Sequence, residues 1–390
     1  METVRVQVVE GGESGTPPEE CRGVIVGPGV NQPDPFPGYG GFVGWESPVC
    51  LRDGTWLVGF SAGYWHASPP TPLRYPAARL EEFRRLGMPA IEAPTGGRAM
   101  VVRSGDQGRT WSRPQTLIDT PADDRHPSLL ELPDGTLVCS LFTYTSGDPQ
   151  DASRVYVVRS FDGGRTWEQE PRFLPTPFCA EETDGPMQLL PDGSVLMIVD
   201  GQRQPGAPWE VAVFRGEDRG SRWSMVGTFT TDHDLYEPGL ARLPDGRLVA
   251  ICRPEGDLCW SEDGGRTWTE PVTFGLRLYA PSLYVLSDGT LVCLHGPYGP
   301  GAPGLRVVFS RDHGQTWMAP AADHGFLVDR SYGYGKAMEL ADGSLFIVYL
   351  STGGHRTEDA RTNAVRCIRL RVRPKYGGID LLPAPCRQSL

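Results

Sequence analysis

The stretch YEPGLARLPDGRLVAICRPEG, residues 236–256, carries a glutamate near its front, Glu237, and an arginine near its back, Arg253. The Leu-Pro-Asp-Gly between them recurs along the chain in closely related forms, whereas the Glu and the Arg do not. A carboxylate and a guanidinium at this separation allow two readings. They form an ion pair bridging two strands, or a general base beside a group that holds an anion bidentately. Counting eight residues back from the Asp of each Asp-Gly repeat yields Trp45, His126, Asp184, Glu237, Ala280 and Tyr334, with Glu46, Arg125, Tyr236 and Tyr279 adjacent. Asp184 and Glu237 together could serve as paired carboxylates for acid–base work, with Glu46 as a spare. Burying such a set unpaired would cost roughly several kcal/mol per group, so a solvated pocket is expected.

The elements that would position these residues are legible in two interleaved repeats. The first is an apolar residue, a spacer, then Asp-Gly ahead of a β-rich run. It occurs as LRDGTWLVGF (51–60), LPDGTLVCSL (132–141), LPDGSVLMIV (190–199), LPDGRLVAIC (243–252), LSDGTLVCLH (286–295) and LADGSLFIVY (340–349). Each reads as a tight hairpin whose Gly supplies positive φ, and six copies suit one four-stranded sheet apiece. The second repeat is SGDQGRTW (104–111), SFDGGRTW (160–167), SEDGGRTW (261–268) and SRDHGQTW (310–317), with a worn copy, GEDRGSRW, at 216–223. It predicts a self-bonded turn in which Asp accepts backbone N–H groups, Gly relaxes φ and Trp packs on a neighbouring layer.

Composition narrows the function classes. Formal net charge is −11 and the chain has no Lys/Arg block, so nucleic acid and anionic membranes are poor partners. No apolar run approaches spanning length, and the start, METVRVQVVEGGESG, has neither a basic flank nor an apolar h-region, so no secretory signal is expected. Nine cysteines without ligand spacing argue for reduced thiols in a cytoplasmic setting and against a metal site. No metal or other cofactor is implied. The only lysines are Lys336 and Lys375, a bias from which no function is taken. Oligomeric state is not readable.

The second repeat is the Asp-box, and four good copies between Asp-Gly hairpins make the chain, over about residues 40–370, similar to the sialidase (neuraminidase) superfamily. The resemblance implies an all-β fold, a six-bladed β-propeller with four-stranded antiparallel blades. The whole of 1–390 then reads as one propeller domain. The segments VRVQVVE (4–10) and AVRCIRLRV (364–372) both alternate like half-buried strands, and the N-terminal strand is expected to close the ring in the last blade. An insertion at about 61–97 carries PAARLEEFRRLG, a short helix by its Pro and Gly signals. It is a lid or an oligomer contact.

A propeller turns the first strand of each blade toward the axis, so the positions counted above converge on one mouth. The resemblance further implies an exo-acting retaining glycosidase for sialic acid or a related nonulosonate or ulosonate on a glycan. Tyr334 would be the nucleophile, Glu237 its base, and Arg253 a holder of an anionic group. A neutral Tyr activated by Glu avoids the repulsion that a sialoside's anomeric carboxylate would impose on an anionic nucleophile. The chain departs from the family at the first blade, where GWESPVCLRDG (44–54) has Glu46 and no Arg. Arg125 and Arg306 are the candidate replacement cations, Asp184 the candidate acid, and Trp45, Tyr236, Tyr279 and His126 candidate walls. Two other readings remain beside this one: a glycosidase for another sugar using Asp184 and Glu237, and a non-catalytic carbohydrate-binding propeller.

Overall fold

A computed structural model describes residues 3–9, 21–70, 77, 81, 95–144, 153–298, 304–320, 325–352, 362–374 and 377–386. The helix expected in PAARLEEFRRLG, and with it the lid-or-contact question, lies largely outside the described residues.

The strands form six sheets, each built outward from an inner strand. Blade one is Phe42–Cys50, Trp56–Gly63, Arg98–Ser104 and Gln115–Ile118; blade two is Asp123–Glu131, Leu137–Tyr144, Arg154–Ser160 and Arg172–Phe173. In blade three the inner edge is split into Ala180–Glu182 and Gln188–Leu189, followed by Val195–Gln202, Glu210–Glu217 and Arg222–Phe229. Blade four is Tyr236–Arg242, Leu248–Arg253, Asp257–Ser261 and Val272–Thr273; blade five begins with Leu278–Val285, Leu291–Pro297 and Leu305–Ser310. Blade six is Gly335–Glu339, Leu345–Leu350 and Val365–Val372, flanked by Gly23–Val26 and Ile379–Leu382. This is the six-bladed β-propeller.

Closure comes from the N-terminal region, as expected, but the segments divide the work differently. Gly23–Val26 pairs antiparallel with Val365–Val372 and completes blade six. The first strand, Arg5–Val8, instead runs parallel to Thr316–Ala319 at the outer edge of blade five. The chain therefore laps two blades before the ring begins. The reason is an available edge on each: blade five ends in the strand after its Asp-box, and in blade six Ile379–Leu382 covers only the Arg369–Val372 half of Val365–Val372, leaving the Val365–Cys367 half for Gly23–Val26.

All six Asp-Gly turns share one geometry. The glycine sits at φ between +74° and +91°, and the Asp carboxylate accepts the N–H two residues on, at 2.8–3.1 Å. Each copy thus shapes its own hairpin by local bonds. The Asp-boxes are equally self-contained. In the box at 310–317, Asp312 accepts from the Thr316 N–H (2.8 Å) and hydroxyl (2.6 Å). Ser310 Oγ takes the Gly314 N–H (2.8 Å), and the Trp317 indole donates to the Gly314 carbonyl (2.9 Å).

The core is divided into six apolar layers, each shared by two consecutive blades. Ile251 and Val308 share the layer between blades four and five, and Val58 and Phe346 that between six and one. The last layer makes the ring continuous. Trp317, with no exposed surface, fills the four–five layer against Phe274. Trp317→Ala is expected to cost about 3–5 kcal/mol, read from the urea midpoint at unchanged slope. Trp111→Ala, at a half-buried box Trp, should cost less.

Candidate active site

The positions eight residues before each hairpin Asp do meet at the axis, and a backbone irregularity puts them there. In four blades the inner strand slips register at this point, between Gly44/Ser47, Arg125/Ser128, Tyr236/Gly239 and Tyr279/Ser282. The residues carried in these bulges, Trp45, His126, Glu237 and Ala280, all have left-handed φ of +45° to +57°. A bulge bends the strand and re-aims a side chain, and non-glycine residues held at positive φ store strain that clusters at functional sites. Pro follows directly in His126-Pro127, Glu237-Pro238 and Ala280-Pro281. Its missing N–H is tolerated at a bulge.

The freed N–H groups are received by the preceding blade. The His126 N–H donates to Ser61 Oγ (3.2 Å), the Glu237 N–H to Asp200 (3.3 Å) and the Ala280 N–H to Glu237 Oε2 (2.8 Å). Glu237 is therefore held twice, through its backbone and through its carboxylate.

Glu237 also joins the two residues expected beside it. The Tyr334 hydroxyl donates to Glu237 Oε1, and Arg253 Nε lies 3.2 Å from Glu237 Oε2. The Glu–Arg spacing has a simple cause: Tyr236 and Arg253 are cross-strand partners of one hairpin. Burial pushes the Glu237 carboxyl up, with Arg253 pulling it back. Burial, reinforced by Glu237, pushes the Tyr334 phenol well up. Arg253 is stacked over Tyr236, 5.3 Å from the ring centroid, and donates to the Tyr298 hydroxyl at 3.3 Å.

Asp184 is on the axis but is not a free acid. Its carboxylate accepts from Lys336 Nζ at 2.7 Å and meets His126 Nδ1 at 2.8 Å. Burial works against ionisation, but Lys336 and His126 outweigh it and hold Asp184 well below the usual carboxylate range. Its carboxylate is thus committed to a cation and an imidazole rather than left open to the mouth. Lys336, set aside in the sequence as compositional bias, is the cation of this pair; it also donates to Ser282 at 3.1 Å and is buried. Its signal was its place two residues after Tyr334, at the start of blade six's inner strand.

A carboxyl the sequence reading did not single out is Glu182, two residues before Asp184. It pairs across the sheet with Asp200, is half-buried, and its carboxyl makes no hydrogen bond or ion pair among the described residues. Burial pushes it up; Arg125 lowers it and Glu237 raises it. Its place two residues before Asp184, in EETDGP, was the only signal.

The remaining candidates separate. Glu46 is buried, with Oε2 unpartnered, and burial pushes its carboxyl to about 8. With Trp45, His126, Asp184, Tyr334 and Lys336 it lines a small axial cavity of about 10 Å³, room for about one water. Trp45 stacks on His126 (4.6 Å) and meets Tyr334 edge-on (4.8 Å); burial pushes His126 down to about 4. Arg125 is buried over Trp45, Phe142 and Tyr144, 3.9 Å from Asp123. Tyr279 borders Tyr334 at 5.7 Å. Arg306 does not join the others: it lies in the third strand of blade five and donates to the Gly325 carbonyl at 3.5 Å.

Removing one partner of a buried ion pair leaves the other uncompensated. Lys336→Met is expected to destabilise by about 3–5 kcal/mol, and Lys336→Met with Asp184→Asn to recover much of that. A double-mutant cycle in urea checks both.

Residues 99–347 match the BNR repeat-like domain family. A sialidase from Micromonospora viridifaciens is 27% identical over 226 residues, covering 57% of this chain and 32% of that protein. The chain thus spans about a third of that relative's length. Among solved structures, a protein of unknown function from Dyadobacter fermentans superposes with a TM-score of 0.68 at 19% identity, over 91% of this chain and 99% of that one. An α-L-arabinofuranosidase from Fusarium graminearum does so with a TM-score of 0.59 at 16% identity, over 91% and 99%. At such identities these structures speak for the fold alone. With more than half its length inside the family match and the propeller complete, the chain belongs to the BNR repeat-like domain family of the sialidase superfamily, as a divergent member without the first-blade arginine.

Proposed function

We propose that the protein is an exo-acting retaining glycoside hydrolase that releases a terminal sugar from a glycan, with Tyr334 as nucleophile, Glu237 as its base and Glu182 as the acid. The observation that carries this reading is the hydrogen bond from the Tyr334 hydroxyl to Glu237, made across the axis between blades six and four. A buried phenol gives up its proton reluctantly, so it attacks only if a base takes that proton as the bond forms. Glu237 is placed to do so, and its raised pKa suits a base working near neutral pH.

In the first half of the reaction Tyr334 Oη bonds to the anomeric carbon, its proton passes to Glu237, and Glu182 protonates the departing glycosidic oxygen. In the second half Glu182 takes a proton from water, the water oxygen attacks the anomeric carbon, and Tyr334 leaves with the proton from Glu237. Two displacements return the original anomeric configuration. Arg253 keeps Glu237 oriented by its ion pair.

A second reading has Glu237 attack directly while Tyr334 only donates to it. The unpaired Glu182 carboxyl favours this, because it supplies the second member of a two-carboxylate mechanism. Substitution separates the readings. Glu237→Gln should lower kcat by at least about 10³-fold in both. Tyr334→Phe should match it if Tyr334 attacks, and lose only about 10-fold if it merely donates.

Glu182→Gln should cost about 10²–10⁴-fold on a poor leaving group and far less on a dinitrophenyl glycoside, which needs no protonation. A similar loss on both would overturn the acid role. Glu237 acts ionised, so kcat/KM should fall as pH drops through its raised pKa, above the ordinary glutamate range. Because the Arg253 charge holds that pKa down, Arg253→Gln should move this acidic limb to higher pH. A pH–kcat/KM series for both proteins checks the sign.

A further inference from the structure

We propose that Cys367 and Cys386 form a redox-active dithiol, and that its oxidation to a disulfide fastens the C-terminal segment across the strand that closes the propeller. The site lies on the third strand out from the axis in blade six, and the inference does not depend on what the axial residues catalyse.

Three segments meet here. Cys367 belongs to Val365–Val372, and its cross-strand partner is Gly23 of the closing strand. The chain after Ile379–Leu382 returns over that closing strand. The Ala384 N–H donates to the Cys21 carbonyl at 3.0 Å, and Cys386 Sγ lies 3.2 Å from Cys367 Sγ. A Cβ on Gly23 would come within 2.6 Å of Cys386 Sγ and 2.7 Å of Cys367 Sγ. The closing strand therefore passes the two sulfurs only because it carries no side chain at that point.

The pair sits in an apolar layer with Ile25, Val26, Trp56 and Phe346. As thiols the two side chains gain little from each other, since S–H is a weak donor and sulfur a weak acceptor. A covalent bond asks the sulfurs to approach by only about 1 Å more.

The two thiols differ in reactivity. Cys367 donates to Cys386 and pulls its pKa down, whereas burial pushes the Cys367 thiol well up. Cys386 is also the more accessible, 5% exposed against 0%, which makes it the attacking thiolate. A small disulfide such as oxidised glutathione serves as oxidant. Cys386 attacks one of its sulfurs and expels a glutathione thiolate, which takes up a proton. Cys367 then gives up its proton and attacks the Cys386 sulfur of the mixed disulfide, expelling the second glutathione. Two protein S–H bonds are replaced by one S–S bond, and the two electrons leave with the two glutathione thiols.

The new bond would close the chain from 367 to 386 into a covalent loop. It would hold the returning segment over Gly23, where the closing strand pairs with blade six through Gly23, Val24 and Val26 alone.

The test is a non-reducing digest of the full chain, alkylated under denaturing conditions after incubation with oxidised glutathione. Mass spectrometry reads it. We expect the Cys367 and Cys386 peptides to be joined, and to separate after dithiothreitol. The exposed Cys50 can take up glutathione by itself, so the joined peptides and not the thiol count are the readout. The oxidised protein should melt about 3–5 °C above the same protein reduced by dithiothreitol. Cys386→Ala, or Cys367→Ala should that variant fail to fold, should show neither the joined peptides nor the difference in Tm. No joined peptides in the unmutated protein, or either cysteine joined to a different one, overturns the dithiol. Joined peptides without a rise in Tm overturn the fastening.

Discussion

The carboxylate of Glu237 is the point on which the axial site depends. It takes the Tyr334 hydroxyl from blade six, the Arg253 guanidinium from its own blade and the Ala280 N–H from blade five. Three sheets are thus tied at one carboxylate. The tie exists because the inner strand bulges at Glu237, which turns the side chain off the strand's own faces and toward its neighbours. The left-handed backbone this requires is stabilised by the bonds it makes, including the Glu237 N–H to Asp200.

A second polar tie lies beside it. Lys336, Asp184 and His126 connect blades six, three and two, and Trp45 of blade one stacks on His126. The two networks meet at Trp45, which touches Tyr334 edge-on. Pairing of this kind is a weak source of net stability, but it leaves each charged side chain one low-energy position. A site built from six separate strands needs that more than it needs extra stability.

Much of this was readable before any coordinates. The six Asp-Gly turns and the Asp-boxes are local: each Asp bonds N–H groups within four residues, so its pattern survives in the sequence whatever surrounds it. The meeting of Glu237, Arg253 and Tyr334 was legible because each sits at a constant distance from such a turn. Lys336 and Glu182 were not singled out, although they sit two residues from positions that were. Nothing local marks a lysine as the partner of an aspartate 152 residues away.

Repeat number, hairpin geometry and the phase of the inner strands were therefore determined by the sequence itself, because hydrogen bonds over two to four residues enforce them. Tertiary structure decided the rest. It made Asp184 a paired anion and left Glu182 free, put Arg306 away from the inner strands, and sent the first strand to blade five while Gly23–Val26 closed blade six. Those outcomes turn on which side chains meet across blades and how far burial shifts their protons. Both depend on distances that only the closed ring creates.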